Sequence, residues 1–208
     1  LSSENYEEVR AVIQDVVEAV EADVLVTDDH GAYTEVVVEM GMEHQICRSH
    51  VKRNVDAIAA SLEQHLAHPE PLPEGVSLTA EHVRDDLKQM QRLVRERPAD
   101  GEEQLAQMYD RYKDVPAPDA GQRHPVWYRM RMAVTRLWNR WRCLTLDQHR
   151  DDLDGTNNAC ERLIGWDIKE RYRTMRGYKR SESIRNVVTL TACLAASQGD
   201  YDLADLVT

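Results

Sequence analysis

The sequence predicts an α/β protein in which helices greatly outnumber strands. Two short apolar runs near the start of the chain alternate with helical patterns, as in a parallel sheet with helical crossovers. Between residues 69 and 151 no convincing strand pattern occurs. A long all-helical segment is therefore expected to interrupt the α/β part.

The first 66 residues are expected to form one helix followed by a βαβα unit. Residues 3–20 carry apolar side chains at helical spacing. Residues 23–27 contain the run VLV, typical of a buried parallel strand, and the run ends at Asp28. The elements that follow are a helix over 32–40, a strand over 43–47 and a helix over 49–66. Asp28 is thus expected at the carboxyl edge of a sheet, where ligands of α/β proteins gather.

Residues 67–151 are expected to form the helical segment. Prolines after residue 68 end the preceding helix. The predicted helices begin at Thr79, cover 102–113 and cover 126–143. Arginines alternate with tryptophans between residues 123 and 150, which suits either contact with DNA or an amphipathic helix with a tryptophan core. The core interpretation is favoured because large aromatic side chains more often serve packing.

Charge is unevenly distributed along the chain. The formal net charge is -11, which argues against general binding to nucleic acid. A basic segment near the end of the chain runs against this background. Its cations are Arg162, Lys169, Arg171, Arg173, Arg176, Lys179, Arg180 and Arg185. Scattered cysteines and the lack of a membrane-span or signal pattern lead us to expect a cytoplasmic protein.

Three motifs resemble the DDE transposases of bacterial and archaeal insertion sequences, especially those with a helical insertion in the catalytic domain. They are VLVTDDHGAY at 24–33, ICRSHVKRN at 46–54 and TNNACER at 156–162, in the order found in that family. The resemblance implies an RNase H-like core and assigns Asp28 as the second acid and Glu161 as the third. It also implies that His50 is a neighbour of the active site.

The resemblance further implies the chemistry. Asp28 and Glu161 would be metal ligands for two Mg²⁺ or Mn²⁺ ions in metal-dependent DNA cleavage and strand transfer. The partners would be transposon ends and target DNA, with the basic cluster from Arg162 to Arg180 on the phosphates. The intact protein would be a nucleoid-associated homo-oligomer without membrane contact.

The resemblance also divides the chain into a partial RNase H-like core (1–66), a helical insertion (67–151) and a carboxyl-terminal core part with the third acid (152–208). The first acid belongs on a strand meander before the first helix, and this chain begins at that helix. An incomplete core is therefore expected, and the chain alone is expected not to cut DNA. Two other interpretations stay open: a non-catalytic DNA-binding remnant or domesticated regulator, and a helical interaction protein without a nucleic-acid role.

Each candidate acid has an ordinary structural interpretation beside the catalytic one. Successive side chains at a strand end point to opposite faces, so Asp28 and Asp29 are not expected to share one ion. Asp29 is expected as a helix cap or loop acid, and both residues could be loop acids. Glu161 could be a surface acid in the first turn of a capped helix.

Overall fold

The computed structural model describes residues 21–69, 71–72 and 76–163, together with residues 7, 10, 13, 14 and 17 of the first helical segment. The chain divides into a compact unit of residues 1–156 and a second unit of residues 157–208. The basic segment beyond Arg162 lies, after Leu163, outside the described residues.

A small parallel sheet opens the first unit. Strand β1 (Val24–Thr27) pairs with β2 (Glu43–Ile46) in a register that sets Thr27 opposite Ile46. Helix α1 (Gly31–Glu39) connects the two strands, and α2 (Arg48–His65) follows β2. The predicted order of strand, helix, strand and helix is confirmed.

The rest of the first unit is helical within its described residues. Its elements are α3 (Ala80–Glu96), α4 (Gly101–Tyr112), α5 (Val126–Asn139), α6 (Trp141–Leu144) and a 3₁₀ turn (Leu146–Gln148). The second unit begins with α7 (Asn158–Leu163). The fold is thus mostly helical with a two-stranded parallel sheet, and residues 76–151 contain no strand, as predicted.

Local chemistry explains where α3 and α4 begin and end. The Thr79 hydroxyl accepts a hydrogen bond from the His82 amide (3.1 Å), which caps α3. Arg97 ends α3 in the left-handed conformation, with φ at 47°. Gly101 begins α4 against the ring of Trp141, where a Cβ atom would lie 2.7 Å from the Trp141 Cε2. A side chain at position 101 has no room, so glycine allows α4 and α6 to approach.

The hydrophobic core lies between the helices and reaches the sheet. Helix α3 shows the pattern most clearly, since its buried apolar residues recur every three or four positions. They are Val83, Leu87, Met90, Leu93 and Val94. Helix α2 packs on α3, α4 packs on α5, and α6 packs on β2. Ile46 of β2 belongs to the same buried cluster, so the strand pair rests directly on the helices.

One predicted element is wrong in extent. The helix expected over 126–143 is broken at Arg140, whose φ and ψ of -104° and 0° end α5 before α6 begins. The break turns Trp141 toward Gly101, and the Arg140 side chain reaches Asp29. These contacts lie far away in the chain, so a periodic pattern alone does not reveal the break.

Candidate active site

Asp28 stands directly after β1, at the carboxyl edge of the strand pair. One of its carboxylate oxygens accepts a hydrogen bond from the His30 amide (3.0 Å). The His30 ring nitrogen in turn accepts from the Ala32 amide (3.3 Å) and so caps α1. The Asp28 side chain is partly exposed. Among the described residues, its second oxygen accepts no hydrogen bond and is open to a ligand.

The start of α2 lies at the same edge. The Cys47 amide donates to the Thr27 carbonyl (2.7 Å), which extends the strand pairing by one step to the level of Asp28. His50 follows in the first turn of α2. The Arg48 amide donates to the Gly155 carbonyl (3.0 Å), so the last residues of the first unit are held at this edge too. The structure therefore brings Asp28, the first turn of α2 with His50, and the backbone at Gly155 to one side of the sheet.

Asp29 lies in the loop after β1 and is held by three side chains. Its carboxylate accepts hydrogen bonds from Asn54 Nδ2 (2.8 Å), Arg136 Nη2 (2.8 Å) and Arg140 Nη1. Its carbonyl oxygen also accepts from Arg136 (2.8 Å) and Arg140 (3.0 Å). We call Asp29, Asn54, Arg136 and Arg140 the Asp29 clamp. Of the two predicted roles, the helix cap is taken by His30, and Asp29 is the loop acid, which fastens the strand end to α5.

The clamp makes the two adjacent acids differ in accessibility. The Asp29 side chain is 6% exposed and both of its oxygens are occupied. Burial lowers the pKa of the Arg140 guanidinium, but arginine remains protonated in proteins, so the pair stays ionic. Asp29 is therefore neutralised by arginine, and Asp28 is the acid at this edge that remains available.

A second arginine holds the opposite end of the strand pair. Arg150 donates to Asp23, just before β1 (2.8 Å), and to Glu43, the first residue of β2 (2.7 Å). It also donates to Asp152 (2.6 Å). The hydrogen bond from Arg150 lowers the pKa of Asp23. Both ends of the small sheet are thus fixed by arginines that follow α4 in the chain.

Buried polar side chains fix the middle of the strand pair. A hydrogen bond of 2.8 Å joins the Thr27 hydroxyl to His44 Nε2, and burial lowers the pKa of His44. Gln45 is fully buried. Its amide nitrogen donates to the Ile46 carbonyl (2.8 Å), and its oxygen accepts from the Asp147 amide (2.8 Å). The strands are therefore fastened to the segment after α6 as well as to each other.

The arginine- and tryptophan-rich segment serves packing. Trp127 and Trp141 are 3% and 4% exposed and belong to the core. Trp138 packs partly buried beside Tyr109, with ring centroids 5.2 Å apart. Most arginines here bind within the first unit. Their partners are Ser61 for Arg129, Val115 for Arg131, Asp29 for Arg136 and Arg140, Glu102 for Arg142 and Asp23, Glu43 and Asp152 for Arg150. The favoured core interpretation fits this arrangement.

Glu161, the predicted third acid, lies in the second unit in α7. Its amide donates to the Asn157 carbonyl (3.0 Å), and its side chain is exposed. Arg162 is also exposed, and its Nε donates to the Asn158 carbonyl (3.2 Å). Glu161 and Arg162 thus stand side by side on the first turns of a helix. The other predicted DNA-binding cations, from Lys169 to Arg180, lie outside the described residues.

The described residues offer an oxygen ligand but no complete metal centre. Within them, no group of three histidine, cysteine or acidic side chains is placed to hold an ion. The accessible carboxylate of Asp28 is a hard oxygen donor of the kind that Mg²⁺ and Mn²⁺ prefer. Asp28 fits such an ion as one ligand, and further ligands must come from elsewhere.

Comparison with family models identifies the chain as a transposase of insertion sequences. Residues 6–170 match the model described as the Transposase IS66 family, and the chain belongs to this family. The match confirms the resemblance to DDE-type insertion-sequence transposases. Neither the comparison with curated proteins nor that with solved structures gave a match. In the described part of the chain, no helix has the length and apolar character needed to cross a membrane.

Proposed function

We propose that this chain carries two of the three acids of a transposase that cleaves and joins DNA strands, with Asp28 as the second acid and Glu161 as the third. The observation that carries the proposal is the difference in accessibility between two adjacent aspartates. The Asp29 carboxylate is paired with Arg136 and Arg140, whereas Asp28 stays accessible at the carboxyl edge of a parallel strand pair. Transposase family membership supports the same interpretation.

The backbone around Asp28 suits the proposal. Gly155 is fastened to the start of α2, at the edge where Asp28 stands. The parallel strands and their crossover helix also suit an RNase H-like core, which we propose for the catalytic domain.

The chemistry follows from the donor set. Asp28 and Glu161 would hold Mg²⁺ or Mn²⁺, which would supply charge neutralisation and an activated oxygen nucleophile at the scissile phosphate. The hydrogen bond from the His30 amide orients Asp28, so that its second oxygen is presented to the ligand. His50, in the first turn of α2 at the same edge, is proposed as a neighbour of the scissile phosphate.

Strand cleavage by the transposase expressed from its complete gene tests the catalytic proposal. The substrate is a supercoiled plasmid that carries the ends of the element, incubated with Mg²⁺ or Mn²⁺. Asp28→Asn and Glu161→Gln are each expected to lower nicking by more than about 100-fold. Loss of a metal ligand should exceed the roughly 10- to 100-fold effect of losing a group that only supports one. Asp114→Asn changes an exposed acid and should nick like the wild type. Unchanged nicking in Asp28→Asn would refute the assignment.

DNA binding is tested separately. We propose that Arg162, Lys169, Arg171, Arg173, Arg176, Lys179 and Arg180 contact DNA phosphates. Each phosphate contact contributes about -0.9 to the slope of log binding constant against log salt. Arg162→Ala and Lys169→Ala should therefore each reduce the slope by about one unit. Steep salt dependence without metal-dependent nicking would instead favour a non-catalytic DNA-binding regulator.

A further inference from the structure

We infer that Arg136 and Arg140 are positioning residues for metal binding at Asp28, acting through Asp29. The inference rests on the proposed metal-binding role of Asp28. It gives the helical region a role at the active site, although Arg136 and Arg140 lie 107 and 111 residues from Asp29 in the chain. Arg136 lies in the last turn of α5 and Arg140 at the break that follows it, and both reach the residue next to Asp28.

The first argument is geometric. Arg136 and Arg140 bind both the side chain and the carbonyl oxygen of Asp29. Two guanidinium groups on one residue fix its peptide plane as well as its side chain. The Asp29 carbonyl and the His30 N–H belong to one planar peptide unit. Because that N–H donates to the Asp28 carboxylate (3.0 Å), holding the Asp29 carbonyl also holds the donor that orients Asp28.

The second argument concerns the environment of the clamp. It borders a small, mostly apolar pocket of about 20 Å³, room for about one water molecule. The pocket lining includes Val51, Val55, Met90, Leu137 and Leu144. Charge-assisted hydrogen bonds in such surroundings are stronger than at an open surface. The pair of Asp29 and Arg140, 6% and 19% exposed, is thus less screened than an ion pair at an open surface, and Arg136, 49% exposed, adds a more screened contact.

The third argument is the neutralisation of charge. Two adjacent ionised aspartates would repel each other, and a nearby cation could bind either carboxylate. Arg136 and Arg140 satisfy Asp29 completely, so an incoming cation meets one available carboxylate at a fixed place. Groups that orient a metal ligand without touching the metal typically contribute 10- to 100-fold to metal affinity.

The chain provides a matched control. Asp86, 4% exposed, binds Arg111 and the Tyr112 hydroxyl between α3 and α4. The Arg111 side chain is 41% exposed and that of Arg136 is 49% exposed, while the aspartate side chain of each pair is 6% exposed. Arg111→Gln and Arg136→Gln therefore break equivalent ion pairs, and only Arg136 touches a neighbour of Asp28.

The experiment measures Mn²⁺ binding to the full chain by the electron paramagnetic resonance signal of the free ion. Wild-type binding that is lost in Asp28→Asn defines the site. Arg136→Gln and Arg140→Gln are each expected to weaken this binding by about 10-fold. Arg111→Gln should leave it unchanged. Amide hydrogen exchange across residues 25–33 should rise in the two clamp variants and stay unchanged in Arg111→Gln.

The possible failures are distinguishable. If wild-type binding depends on Asp28 but the clamp variants bind Mn²⁺ as tightly, the positioning role is overturned and the proposed function stands. If Arg111→Gln weakens binding as much as Arg136→Gln, the effect is general destabilisation and the inference is also overturned. If wild-type binding does not depend on Asp28, the proposed metal site fails and takes the inference with it, even where exchange rises.

Discussion

Adjacent aspartates with opposite roles give the sharpest prediction from this structure. Asp29→Ala is expected to lower the free energy of unfolding strongly, and Asp28→Ala only slightly. In the folded chain Asp29 receives three side-chain hydrogen bonds, from Asn54, Arg136 and Arg140. Asp28 receives one, from the His30 amide. The two substitutions remove the same atoms from neighbouring positions, so each serves as the control for the other.

The magnitude follows from exposure. The Arg140 side chain is 19% exposed, so its charged hydrogen bond is worth about 2 kcal/mol. The Arg136 side chain is 49% exposed and Asn54 is exposed, so solvent screening leaves about 0.5 kcal/mol for each. Asp29→Ala should thus cost about 3 kcal/mol, the lower end for breaking a buried ion pair. Asp28→Ala should cost about 1 kcal/mol or less.

Urea unfolding followed by tryptophan fluorescence measures both values. With a slope of about 2 kcal/mol per molar urea, Asp29→Ala should lower the midpoint by about 1.5 M and Asp28→Ala by about 0.5 M or less. Equal midpoint shifts, or a shift in Asp29→Ala below that in Asp28→Ala, would refute the assignment of the clamp to Asp29.

Three further outcomes are expected. Gly101→Ala should destabilise by about 1–3 kcal/mol in thermal unfolding, because its Cβ meets the Trp141 ring; a neutral result would contradict that packing. Tyr112→Phe should cost about 1.5 kcal/mol in urea, since buried Asp86 loses the hydroxyl 2.7 Å away, and an unchanged midpoint would argue against the bond. Burial lowers the pKa of His44, so the unfolded state binds the extra proton, and stability should fall as pH drops below about 6.5. His44→Gln should remove that part of the pH dependence, measured by urea midpoints from pH 5 to 8.

Local pattern sufficed for much of the fold. Strand β1, predicted over 23–27, covers Val24–Thr27, because a short apolar run ended by acids is a local signal. Helix α4, predicted over 102–113, covers Gly101–Tyr112, because the spacing of apolar residues in a helix is also a local signal. The edge position of Asp28 follows from where its strand ends, and so it too could be predicted.

What the sequence did not reveal depends on contacts between distant residues. Arg136 and Arg140 lie 107 and 111 residues from Asp29, and nothing in the intervening pattern pairs them. The break at Arg140 has the same origin, because a helical period continues through it in the sequence. For the arginine- and tryptophan-rich stretch the sequence favoured packing but left DNA contact open, and the burial of Trp127 and Trp141 supports packing.

Affinity cleavage by iron tests the central claim that Asp28 and Glu161 serve one metal site. Fe²⁺ with ascorbate and peroxide, in place of Mg²⁺, generates hydroxyl radicals that cut the polypeptide next to the bound ion. We predict cuts near residue 28 and near residue 161 in the same sample, both suppressed by excess Mg²⁺ and both lost in Asp28→Asn. Cutting near residue 161 that persists in Asp28→Asn, or cutting near one acid alone, would contradict the account.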